Sequence, residues 1–376
     1  MNRRGFVGRS LGVLAATAGP MAAGAGAAGQ PGAAASGDPS AAFATEEVLE
    51  PGLPIVDPHH HLWDHTGNSS GPRTRYLLED FLADVNAGGH NVTETVFVDC
   101  RSMYRTTGPE ELRSLGETEF VNGIAAMSAS GAYGPCRVAS GIVAFVDLRL
   151  GERARPVLEA HRAAAGSRFK GVRNSGAWDA FPVMGMPLDP ARNRLLADPG
   201  LRQGVAVLAS MDLVFESWLF HTQIPQLADL AAAVPQATMV LNHVGTPIGV
   251  GPYAEHPQQT FADWKRHILE IARRPNVVCK LGGLGMQFAS PALAARKGQA
   301  GSEELARAWK PYFETCIEAF GAQRCMFESN FPPDGASCSY RALWNGFKRC
   351  VAGASAAEKT ALFSGTAKRV YRLGAA

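Results

Sequence analysis

The stretch IVDPHHHLWD, residues 55–64, runs an apolar pair into three consecutive histidines and then a tryptophan. His59, His60 and His61 belong to a 376-residue chain with only 10 histidines, so the cluster calls for a chemical explanation. Apolar residues followed by polar side chains read as a buried strand that ends where chemistry begins. Side chains alternate along a strand. His59 and His61 are therefore expected on one face, with Asp57, and His60 on the other. A His-x-His pair at a strand end is a bidentate clamp for a metal ion such as zinc.

Outward from this stretch, β-rich runs alternate with helical ones. The expected strands are 54–61, 94–100, 140–148, 168–174, 213–220, 237–245, 276–283 and 324–330. Segments 78–89, 154–166, 224–235, 264–275 and 304–321 repeat apolar residues at three- and four-residue intervals, as helices packed on a sheet require. Eight strands separated by helices predict one α/β domain, a (β/α)8 TIM barrel with loop insertions. A doubly wound sheet would want a glycine-rich loop after its first strand, where this chain has histidines.

Barrel chemistry sits at the C-terminal ends of the strands. The expected ends carry His59 and His61, then Asp99 and Arg101, Arg173, His221, His243 and Asn330, with Asp334 four residues later. His221 and His243 could complete a nitrogen-rich metal site with His59 and His61. Arg173 could present a fixed fork to an anionic substrate. The segments 65–76 and 108–120, with Tyr104, are expected to overlie the barrel mouth, where loops set substrate choice.

Taken together, VDPHHHLWD, FKGVRNS, VLNHVGTP, KLGGLGM and MFESNFPPD resemble the amidohydrolase superfamily, in its lactonase-like branch with the pyrone-dicarboxylate and sugar-lactone hydrolases. The resemblance runs from Leu53 to the C-terminus. It implies that His59 and His61 are the first-strand metal pair, His221 the fifth-strand histidine and His243 the sixth-strand one. Binuclear members bridge their metals with a lysine or glutamate at the end of strand four. This chain has GVRNS there, and Lys170 lies near the strand's start, so one divalent ion, zinc first, is expected. A metal-free site is the alternative. The family's last strand ends in an aspartate that takes a proton from water; this chain has Asn330, and an amide is no base near neutral pH.

The expected activity is hydrolysis of a lactone or related ester carrying a carboxylate. His59, His61 and His221 would hold the metal. His243 would orient the substrate oxygen or the water, Asp334 would act as base beside Asn330, and Arg173, Arg101 and Tyr104 would hold the substrate. A non-oxidative decarboxylase of the same superfamily and a non-catalytic periplasmic binding protein are the competing readings.

Net charge +2, 46% hydrophobic and 19% charged residues describe a globular protein with no basic run for nucleic acid. The partner expected is an anionic small molecule, and a homo-oligomer stays open. Cys100, Cys136, Cys279, Cys316, Cys325, Cys338 and Cys350 form no CxxC pair, which argues against a disulfide framework or a thiolate zinc site. Residues 1–28 read as a twin-arginine signal with no membrane anchor: Arg3 and Arg4 precede a short apolar run that ends in small residues. Residues 29–51 read as a disordered Ala/Gly/Ser/Pro spacer, and 52–376 as the barrel. The expected location is the periplasm. Replacing Arg3 and Arg4 by lysine should leave the precursor in the cytoplasm with the mature chain's properties unchanged. Normal export of that variant, followed by cell fractionation and immunoblot, would remove the twin-arginine reading.

Overall fold

A computed structural model describes residues 46–65, 74–185 and 189–374. The barrel strands are β1 (Ile55–His60), β4 (Val92–Val98), β5 (Arg137–Ala144), β6 (Phe169–Ser175), β7 (Val214–Trp218), β8 (Met239–Leu241), β9 (Val277–Leu281) and β10 (Cys325–Phe327). They form one parallel eight-stranded sheet in that order. Each expected strand is present. Two short strands, β2 (Trp63–His65) and β3 (Thr74–Tyr76), pair antiparallel as a ribbon beyond β1. The sheet is nearly closed. Its seam is an isolated bridge between His60 and Phe331, with His61 N–H donating to the Phe331 carbonyl and Asn330 N–H to that of His59.

Helices cover the outside. The helix Ser302–Phe320 buries Leu305, Trp309, Phe313, Cys316 and Phe320, a repeat of three and four residues that lays one face on the sheet. Helices at Leu115–Ala129, Pro199–Ser210 and Tyr340–Cys350 were not anticipated. The second starts on an Asp198 cap that accepts from Gly200 and Leu201 N–H, and the third on a Ser339 cap. The first corrects the reading of 108–120 as a mouth loop. From Leu115 onward that segment is a barrel helix packed on β5, with Leu115, Val121 and Ile124 buried.

Inside the barrel, Val56, Val96, Val98, Val143, Val214, Val240, Val278 and Met326 form an apolar layer, closed from below by Val370 and Tyr371. One step of two residues further along, β7 and β9 carry Glu216 and Lys280 inward, with Glu328 just past the end of β10 beside them. β1 departs from simple alternation. Val56 faces inward, and strict period two would bring Pro58 and His60 in after it. A register shift between Asp57 and His60 adds one residue to the strand and resets the phase. His60 therefore turns outward, its ring stacked 4.3 Å from Phe81 and its Nε2 2.8 Å from Thr95 Oγ1. Asp57 was expected on the interior face and is instead outside. It accepts from Tyr340 Oη–H at 3.1 Å and from Ser329 N–H at 2.9 Å.

The expected signal at 1–28 and most of the spacer lie outside the described residues. The spacer's last residues are tied down. Lys348 Nζ donates to the carbonyls of Leu49 and Glu50, and Leu49 N–H donates to Asn345 Oδ1.

The reset register has a direct test. His60→Ala removes a buried stacked ring and should cost about 2–4 kcal/mol of stability, read by thermal or urea unfolding, while bound metal stays unchanged. Loss of metal from His60→Ala would mean that the β1 register is wrong.

Candidate active site

The mouth of the barrel holds a cavity of about 720 Å³, whose lining includes His61, Asp99, Arg101, Arg173, Arg192, His243 and Asn330. At its floor, His59, His243 and Glu328 form a buried group whose ligand atoms all lie within 4.8 Å of one another. Glu328 Oε1 accepts from His243 Nδ1–H at 2.6 Å and from the His243 backbone N–H at 3.1 Å. Its Oε2 lies 2.6 Å from His59 Nδ1, out of line for a hydrogen bond, and has no donor of its own. Lys280 Nζ is 4.0 Å from that oxygen but only 2.8 Å from Glu216 Oε2, where its charge is matched.

A buried carboxylate oxygen with no donor, set against an imidazole, is an arrangement that a divalent cation satisfies. Burial, reinforced by the Lys280 charge, holds His59 well below the usual histidine range and so in the neutral form that metals need. The donors present therefore fit a zinc-like ion, with His59, His243 and Glu328 to hold it.

Around this floor, the local backbone aims each group. His61 Nδ1–H donates to the Val98 carbonyl at 2.8 Å, which fixes the tautomer and leaves Nε2 as the acceptor. Burial keeps this ring neutral as well. Arg173 sits between two groups. Its Nη2 donates to the Asp99 carbonyl, and its Nη1 lies 3.4 Å from His59 Nε2. Arg101 lies over the Phe145 ring at 5.9 Å. Burial, then the Arg101 charge, lowers the Arg192 guanidinium from its usual value, so the two cations are near neighbours. Among the described residues neither has a carboxylate within ion-pair distance. Tyr104 does not line the cavity; its hydroxyl donates to Asp99 Oδ1 at 2.6 Å.

Two further expected residues stand elsewhere. His221 is carried off by the tight turn His221–Gln223 that begins the next helix. Its ring packs edge-on to Tyr253 at 5.0 Å, and its Nδ1 accepts from Ile248 N–H. It lies outside both the metal-type group and the cavity wall. Asp334 is fully buried and is not part of the cavity wall. Its oxygens accept from Asn330 Nδ2–H at 2.7 Å and Gly285 N–H at 3.0 Å, and burial raises its pKa to about 8. It holds Asn330 in place and has no open path to a water in the cavity. Glu328 and Lys280 were overlooked, although period two counted back from Asn330 leads to Glu328.

The chain belongs to the amidohydrolase family, whose model matches residues 56–373. An uncharacterized Sinorhizobium fredii protein, y4mH, is 32% identical over 337 residues, spanning 85% of this chain and 99% of that protein. The L-fucono-1,5-lactonase of Burkholderia multivorans is 27% identical over 322 residues, 85% of this chain and 96% of that enzyme. A crystal structure of a Burkholderia multivorans amidohydrolase with bound zinc aligns with a TM-score of 0.64 at 26% identity, over 85% of this chain and 99% of that one. A crystal structure from Pseudomonas putida, at 18% identity and a TM-score of 0.57 over 86% of this chain, shares the fold.

The floor makes a clear prediction. Glu328→Ala should strip a divalent ion from the purified protein, whereas His221→Ala should leave metal content unchanged, both measured by elemental analysis. Full retention in Glu328→Ala, or loss in His221→Ala, would relocate the site.

Proposed function

We propose that the protein is a metal-dependent hydrolase that opens a lactone or related ester bearing a carboxylate. One observation carries this reading. His243, one member of a carboxylate–imidazole group suited to a divalent ion, lines the same cavity as Arg173 and the cations Arg101 and Arg192, neither of the last two ion-paired among the described residues. The sequence likeness to L-fucono-1,5-lactonases supports the lactone as the ester type.

The division of labour follows from placement. His59, His243 and Glu328 would hold the ion, which when bound polarises a carbonyl and acidifies water. His61 Nε2, its tautomer fixed by Val98, accepts a hydrogen bond from the attacking water and orients it. Arg101 and Arg192 receive the substrate carboxylate in a partly dehydrated wall, where charge-assisted bonds are strong. Arg173 braces the Asp99 backbone against His59. Trp63 and Trp218 supply flat apolar walls for the ring. Asn330, locked to Asp334, keeps the rim in shape. The Arg3–Arg4 pair with the apolar run after it supports action in the periplasm.

A panel of lactones, with and without a carboxylate, tests this reading. Turnover is expected with the metal-loaded protein. Arg192→Gln should raise KM for carboxylate-bearing lactones by roughly tenfold or more, the loss of one charged hydrogen bond, and leave neutral lactones nearly untouched. Release of carbon dioxide without ring opening would mark a decarboxylase instead, and binding without turnover a carrier.

A further inference from the structure

Attack on an ester puts negative charge on its carbonyl oxygen, and that charge needs a hydrogen-bond donor beside the floor. The histidines there point their N–H groups elsewhere. His61 gives its Nδ1–H to the Val98 carbonyl and His243 gives its own to Glu328, so what a neutral ring has left is an acceptor. The amides on the wall are engaged as well. Asn330 Nδ2–H is turned to Asp334 at 2.7 Å, and Asn174 Nδ2 donates to the carbonyls of Val146 and Arg173 at 2.8 and 2.9 Å. Lys280 is wholly buried, and its charge is matched by Glu216.

Arg173 differs from all of these. It lines the cavity yet is only 8% exposed, and among the described residues no carboxylate oxygen lies within ion-pair distance of it. The partners of its guanidinium are uncharged: the Asp99 carbonyl accepts from Nη2, and Nη1 lies 3.4 Å from His59 Nε2. The second contact places the group at the floor. The first ties β6, which carries Arg173, to the residue just past the end of β4. A guanidinium has five N–H groups in one rigid plane, so these two contacts leave hydrogens to spare. A buried cation without a counter-charge is destabilising, and an anion formed beside it removes that cost. A donor already locked in place need not reorganise when the charge appears.

We propose that Arg173 is a catalytic residue of this site, holding the carbonyl oxygen of the ester and stabilising the negative charge that forms on it. This rests on the hydrolytic reading above, in which Arg101 and Arg192 take the substrate carboxylate. The water oxygen bonds to the carbonyl carbon, and the electron pair of the carbon–oxygen double bond moves onto the oxygen facing Arg173. That pair then returns to remake the double bond, the bond from carbon to the ring oxygen breaks, and the proton lost by the water ends on the ring oxygen. One ester and one water become one acid and one alcohol. Arg173 gains and loses no proton. Its contribution is charge, and that charge matters most while the carbon is tetrahedral.

Kinetics and calorimetry test the proposal together. Arg173→Met, checked for native circular dichroism, should lower kcat by roughly 10²–10³-fold, the loss of an oxyanion donor. KM should stay within about threefold for lactones with and without a carboxylate, because the interaction belongs to the transition state. Undiminished kcat overturns the proposal. So does a rise in KM confined to carboxylate-bearing lactones with kcat kept, which would make Arg173 a third carboxylate holder. Should Arg173→Met not fold, Arg173→Lys replaces it, since it keeps a cation but loses the fork. A fall in kcat of about tenfold or more with KM held is then expected, and an unchanged kcat overturns the proposal. The calorimetry needs no turnover. A six-membered cyclic phosphonate, whose tetrahedral P–O⁻ stands for the oxyanion, should bind wild type roughly 10²-fold more tightly than δ-valerolactam, a flat neutral ring of the same size. The variant should lose that preference, and a preference that survives in the variant, or is missing from wild type, overturns the proposal. Should wild type hydrolyse no lactone while the Arg173-dependent preference is present, the hydrolytic reading fails and Arg173 stands as the cavity's oxyanion-binding group.

Discussion

The seam that closes the barrel is also the floor of the candidate site. β1 and β10 meet through backbone bonds from Asn330 to His59 and from His61 to Phe331, so the histidines that face the cavity are the residues that complete the sheet. A barrel cannot close without fixing these residues, and they cannot shift without reopening an edge. The Asp57 carboxylate strengthens the join from outside by accepting from the Ser329 N–H. Groups with little freedom at the seam are held in place before any ligand arrives, which is what an active site requires.

Below that floor the barrel is not filled with hydrocarbon alone. Lys280 and Glu216 form a fully buried ion pair, Asn242 Nδ2–H donates to Glu216 at 2.8 Å, and Tyr371 Oη–H donates to the same carboxylate from beneath. Buried pairs of this kind add little stability against an apolar filling of the same volume. Their position gives them a different use. Lys280 reaches within 3.4 Å of His59 Nδ1, so the charge of this layer bears on the floor. Tyr371 links the chain's last turn to the same network, which joins the bottom of the barrel to its mouth through a few hydrogen bonds.

The amide at Asn330 has a local explanation. Asn330 adopts a left-handed backbone, φ 50°, and donates to Asp334. An amide there satisfies Asp334 as a second carboxylate could not. Anionic character at this end of the barrel is supplied one inward position earlier, by Glu328. His243, also in a left-handed conformation at φ 55°, turns its backbone N–H and its ring together onto that carboxylate.

Much of the architecture was legible from the chain alone, because strand and helix periods are local properties written in apolar spacing. All eight barrel strands follow from it, as do the polar residues at the strand ends. The Leu115–Ala129 helix was obscured by its glycines and hydroxyl-bearing residues. Folding decided what depends on neighbours distant in sequence. The bulge in β1 put Asp57 outside, the turn after β7 took His221 away, and Asp334 was spent on Gly285 and Asn330. The meetings of Glu328 with His59 and His243 join residues from separate strand ends. Periodicity can name the face on which a residue lies. Only barrel closure determines which faces meet, because hydrogen bonding and charge act through space across elements that no local pattern connects.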